Sequence, residues 1–129
     1  MYSRTELPQI PEAQLAEFLK FCRERGVSSE PVLIPVASLK PIQDELKRDK
    51  VVQMSKTPIT VPILVAEDNS IVDGHHRWLA RALQDTRGLA VCVKIYASVD
   101  KIIDLGNEFE GSFNASIHEM LAMYRDMLH

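Results

Sequence analysis

Five consecutive residues, Asp73-Gly74-His75-His76-Arg77, have the types and the spacing to bind an anion. They follow the apolar pair Ile71-Val72 and precede Trp78-Leu79-Ala80, so they fall where a strand turns into a helix. Asp73 ends the strand and can cap the helix with its carboxylate. Gly74 lets the backbone turn tightly and lets a ligand approach it closely. The first N–H groups of a helix lack carbonyl partners, and that end carries about half a positive charge. A phosphate satisfies both. Arg77 can add a bidentate clamp, and His75 or His76 can donate further hydrogen bonds. The plain alternative is a capped helix with solvated histidines. Adjacent helical residues do not share a face, so the histidines alone do not imply a joint metal site. The metal ligands stay open, since Asp73 or Glu45 would have to be brought in by the fold.

The flanking elements must position this turn. Pro11 to Arg25 reads as a helix with Leu15, Phe18, Leu19 and Cys22 on one apolar face and Gly26 as its stop. Val32 to Val36 is a short strand, pushed toward a sheet edge by Pro35. Ile42 to Ser55 is a charged helix with a thin apolar face, closed off by Pro58. Val61–Ala66 and Ile71–Asp73 read as a hairpin around the turn Glu67-Asp68-Asn69-Ser70. His75 to Gln84 is the helix after the motif, with Trp78, Leu79, Ala82 and Leu83 as its anchoring face and only its first turn turned to solvent. Val91 to Tyr96 is the clearest strand, followed by a helix over Val99–Phe109 that Ser98 can cap. A last amphipathic helix starts at the capping box Ser116-Ile117-His118-Glu119. Strands alternating with helices in this way predict an α+β or α/β domain.

The chain has 129 residues, which suits one domain, 1–129. Its net charge is -3, which argues against broad electrostatic binding of nucleic acid but leaves room for a local basic pocket. Cys22 and Cys92 show neither zinc nor redox spacing and fit an apolar helix face and an apolar strand. Two reduced, buried thiols in a cytoplasmic setting are expected. No apolar run reaches the roughly 18 residues of a membrane span, and Met1-Tyr2-Ser3-Arg4 lacks the apolar stretch of a signal peptide.

Asp73-Gly74-His75-His76-Arg77-Trp78-Leu79-Ala80 resembles the signature of the ParB/sulfiredoxin superfamily. The version with two histidines is similar to that of the free serine kinases of this fold and of ParB-like proteins from phages and plasmids. Ile34-Pro35-Val36, Leu39-Lys40-Pro41 and Val61-Pro62-Ile63-Leu64-Val65 fit upstream, so the likeness covers about residues 32 to 110. It implies an α+β fold, a small mixed sheet flanked by helices, here with an amphipathic helix at each end. It also implies ATP or a related nucleotide, with Mg²⁺, bound through Asp73, Gly74, His75, His76 and Arg77, with Lys50 reaching a phosphate. Glu45 lies near where the kinases place a catalytic Glu and could act as a general base, which makes Glu45, His75 and His76 the candidate catalytic residues. His75 stands where sulfiredoxins carry their catalytic Cys and where ParB carries Glu, so neither sulfinic acid reduction nor a CTP clamp is expected. No helix-turn-helix region follows the motif. The expected function is phosphoryl transfer to a hydroxyl acceptor, or nucleotide hydrolysis. The alternatives are a ParB-like nuclease or DNA-binding protein, and a non-catalytic module whose partner uses the C-terminal helix.

Overall fold

The computed structural model describes residues 2, 3, 6–43, 46–110 and 125. A 3-10 turn at Glu12–Gln14 leads into α1, Leu15–Glu24, and Gly26 ends it at φ +80°. Next come β1 (Ser29–Pro35), α2 (Arg48–Ser55), β2 (Ile63–Val65), β3 (Ile71–Asp73), α3 (His75–Gln84) and β4 (Leu89–Ile95). The helix α4 covers residues 99–110. The expected capping box at Ser116 and the helix after it lie outside the described residues, except Arg125.

The four strands form one mixed sheet in the order β1-β4-β2-β3. β1 runs antiparallel to β4, β4 parallel to β2, and β2 antiparallel to β3 with a bulge at Leu64/Val65. The expected hairpin is present, and its turn places Asn69 at φ +70°, a left-handed conformation that asparagine tolerates. β1 is an edge strand, as Pro35 suggested. The Val36 N–H donates to the Gly88 carbonyl and the Tyr96 N–H to the Ser28 carbonyl. The even-numbered residues of β1 therefore face β4. Pro31 and Pro35 point their missing N–H outward, where they blunt the edge against a further strand.

Each face of the sheet packs its own core, because side chains alternate along a strand. Leu64, Val72, Val93 and Ile95 join Phe18 and Cys22 of α1 and Ile102, Leu105 and Phe109 of α4. Phe109 meets Phe18 and Phe21 edge-on, each at 5.4 Å between ring centroids. On the other face, Ile34, Ile63, Val65, Ile71 and Cys92 pack with Trp78 and Ala82 of α3. Cys22 and Cys92 are buried and free, in different cores. Burial pushes both thiols up to about 11, which keeps them protonated.

Two expectations need correction. Among the described residues of the charged segment 42–55, only those of α2 are helical. The backbone N–H groups of Ile42, Gln43 and Lys47 are engaged by the histidines of α3. The Ile42 carbonyl accepts from the Tyr2 N–H. These bonds hold the stretch out of a helical ladder. The anchoring face of α3 also differs. Leu83 is 58% exposed, while His75, His76 and Ala80 are buried. The first turn was expected to face solvent, yet its imidazoles are inside because each has a hydrogen-bonding task there.

Candidate functional site

The helix start after β3 forms one wall of a small cleft. Its lining brings together Asp73, Gly74, His75, His76, Arg77 and Lys50. These are the six residues that the sequence assigned to phosphate binding. Glu45 lies outside the described residues, but its neighbours Gln43 and Lys47 are both tied to α3. Gln9, Gln43 and Met54 complete the lining and carried no signal of their own in the sequence. The cleft encloses about 50 Å³. A single water needs roughly 10–15 Å³ by this measure, and a pocket for a drug-sized ligand roughly 300–1,000 Å³. The cleft therefore fits a phosphate-sized group and not a whole nucleotide. A base and ribose would have to lie over its mouth.

Gly74 is the N-cap of α3, at φ +105°, and no side chain caps the helix. Asp73 was expected to do so. Its carboxylate turns instead to the N-terminal segment, accepting the Ile10 N–H at 3.0 Å, and also accepts from the Gly74 N–H. Burial raises the Asp73 carboxyl above its ordinary range. The charge of Arg77, the two N–H donors and the charge of Lys50 oppose that shift without cancelling it.

Arg77 lies against the bare side of Gly74. A Cβ added at position 74 would sit 2.8 Å from Nη2 of Arg77 and 3.0 Å from its Nε. Gly74 thus serves both the left-handed turn and the close approach of a guanidinium. The Nη2 of Arg77 stands 3.9 Å from Oδ1 of Asp73, beyond hydrogen-bond reach. Its Nε is buried and has no hydrogen-bond partner. A buried guanidinium donor left unpaired is costly.

Both histidines line the cleft, and their Nε2 atoms are used within the chain. Nε2 of His75 accepts the N–H groups of Ile42 and Gln43, at 3.0 and 3.2 Å. Nε2 of His76 accepts the Lys47 N–H at 3.0 Å. An accepting Nε2 carries no proton, so Nδ1 holds it in both rings. Burial, followed by the influence of His76, lowers His75 to about 4, so it is neutral at physiological pH. Neither Nε2 is available to donate to a phosphate or to take a substrate proton. These residues position the loop before α2 across the start of α3. Trp78 fixes the helix from below by donating from Nε1 to the Val36 carbonyl at 3.0 Å.

The described residues do not fit a metal held by the protein. Among them no group of three or more His, Cys, Asp or Glu could hold an ion. Asp73 is the single carboxylate among the cleft-lining residues and is already engaged. No described helix is long and apolar enough to cross a membrane. No family model matches the chain, and neither a curated protein nor a solved structure matches it.

Proposed function

We propose that this chain is a nucleotide-binding domain of the ParB/sulfiredoxin type that docks the terminal phosphate of ATP or a relative at Gly74–Arg77. The observation that carries the reading is the Arg77 guanidinium, drawn against Gly74 with a buried, unpaired Nε beside an uncapped helix start. An oxyanion supplies what both lack, acceptor atoms and negative charge. Lys50 adds a second cation at the cleft. Its size favours a terminal phosphate over the interior of a DNA strand, and the net charge of -3 offers no general attraction for a polyanion.

In the transfer step, an oxygen of a hydroxyl acceptor or of water forms a bond to the terminal phosphorus. The bond to the leaving diphosphate breaks, and the acceptor's proton passes to a base. Such a reaction needs chiefly positioning and charge neutralisation. Both Nε2 atoms are committed, and the base we propose is Glu45, the residue that the family resemblance points to. The two buried thiols go with a reducing, cytoplasmic setting.

Calorimetry with ATP and with inorganic pyrophosphate tests the reading, with phosphate release followed in the same samples. The wild-type chain should bind both. Arg77→Ala should bind about tenfold or more weakly, the effect of losing roughly 1.5–3 kcal/mol from a charged hydrogen bond. Equal affinities, or no binding by either protein, would sink the reading.

A further inference from the structure

The N-terminal segment reaches the same cleft from outside the stretch that carries the motif. Leu7 and Pro8 are buried, and Pro8 packs so closely on α4 that a Cβ at Gly106 would lie 2.7 Å from its Cβ. Two residues later, Ile10 packs on the α1–α4 core and donates its N–H to Asp73. Gln9 lies between these two anchors. It is exposed, lines the cleft with Gly74 and Arg77, and its carboxamide makes no hydrogen bond among the described residues. A neutral side chain with two N–H donors is thus held at a phosphate-sized cleft by a segment whose own place is fixed on both sides.

We propose that Gln9 is a specificity-determining residue of this site, donating from its carboxamide to the oxyanion held at Gly74–Arg77. This rests on the phosphate-binding reading. The segment before α1 then belongs to the binding site, because the bond that positions Gln9 through Ile10 also turns Asp73 away from the helix start. Strong anion binding requires that segment in place. A carboxylate at position 9 would face the bound anion with acceptors only, and would repel it.

Pyrophosphate titration of five proteins, the wild-type chain, Gln9→Ala, Gln9→Glu, Gln14→Glu and Arg77→Ala, tests the proposal. Gln9→Ala should weaken binding about three- to tenfold, the range for one ordinary hydrogen bond made by a solvent-exposed group. Gln9→Glu should weaken it more than tenfold, and that deficit should shrink as salt is raised, since screening acts on the added charge. Gln14→Glu adds the same charge on the nearby 3-10 turn, outside the cleft. It should change affinity less than twofold. Position 9 is exposed, so both Gln9 variants should melt close to wild type. Wild-type affinity in the Gln9 variants, with a loss in Arg77→Ala, overturns the role of Gln9 and leaves the phosphate site standing. Equal losses in Gln9→Glu and Gln14→Glu also overturn it, since net charge alone then accounts for the effect. No pyrophosphate binding by the wild-type chain overturns both readings.

Discussion

Two helices of this domain start just after strands of the same sheet, and they start differently. α4 follows β4 and is closed by its own sequence, with the Lys101 N–H donating to Oγ of Ser98 at 3.2 Å. α3 follows β3 with glycine at the N-cap, no capping side chain, and the adjacent carboxylate bonded to Ile10 63 residues away. Both helices begin with the same need, several N–H groups without intrahelical partners. At α4 a local hydroxyl meets part of it. At α3 the local candidates are used elsewhere, and an under-bonded arginine is added. The start of α4 is capped within the chain, whereas that of α3 has no side-chain cap and an arginine Nε without a hydrogen-bond partner.

The largest effects should come from the polar clamp at α3, for which α4 has no counterpart. His75→Phe keeps a ring of similar size but removes the acceptor of two backbone N–H groups. Leaving a buried donor unpaired costs roughly 1–3 kcal/mol, and the Ile42 N–H is only partly buried, so a loss of about 2–4 kcal/mol in urea unfolding at pH 7.5 is expected. A pH dependence belongs to the same residue. His75 is lowered from 6.5 to about 4 in the folded chain. Between those values the unfolded chain binds a proton that the folded chain refuses. Stability attributable to this group is therefore intact above pH 6.5, falls as the pH drops toward 4, and falls no further below that. The full loss is roughly 3 kcal/mol. In His75→Phe this contribution to the acid slope should be gone. An unchanged slope would mean that the imidazole is not held neutral by the fold.

How far the sequence revealed the site follows the same division between local and distant interactions. β3 and α3 were legible to the residue, because Ile71-Val72 followed by Asp73-Gly74 is a short-range signal. The Ser98 cap and the hairpin were legible for the same reason. The first turns of the expected helix from Ile42 were not. The N–H groups of Ile42, Gln43 and Lys47 are taken by imidazoles about 30 residues away, and no periodicity records that. The burial of His75 and His76 was hidden by their polarity. Gln9 was hidden because its relation to the cleft runs through Pro8 on Gly106 and Ile10 on Asp73, both contacts between residues far apart in the chain.

Gly74→Ala acts on the feature that most separates the two starts. Alanine at φ +105° is strained, at a cost of about 1–3 kcal/mol. Its methyl would also meet the Arg77 guanidinium at 2.8 Å. That group is the end of a flexible side chain and can swing away, so little further stability is lost. What the swing removes is the guanidinium's place in the cleft. Pyrophosphate affinity should fall about as far as in Arg77→Ala, and the double variant should bind no worse than either single one, since both remove the same contact. Additive losses would show that Gly74 and Arg77 act separately.

The smallest effect is expected at the capped start and completes the contrast. Ser98→Ala deletes the acceptor of the Lys101 N–H, a change that typically costs about 1 kcal/mol. Ser98 is exposed, so water can reach the released N–H, which keeps the loss near or below that figure. Thermal unfolding would register it as a shift of a few degrees in a domain of this size. Pyrophosphate affinity should not change, because Ser98 does not line the cleft. The two helix starts would then respond in opposite ways, with stability lost and binding kept at α4, and binding lost with little stability cost on removing Arg77 from α3. If Ser98→Ala weakened anion binding as much as Arg77→Ala, the anion would be responding to the general integrity of the fold, and the distinction between a closed and an open helix start would fail.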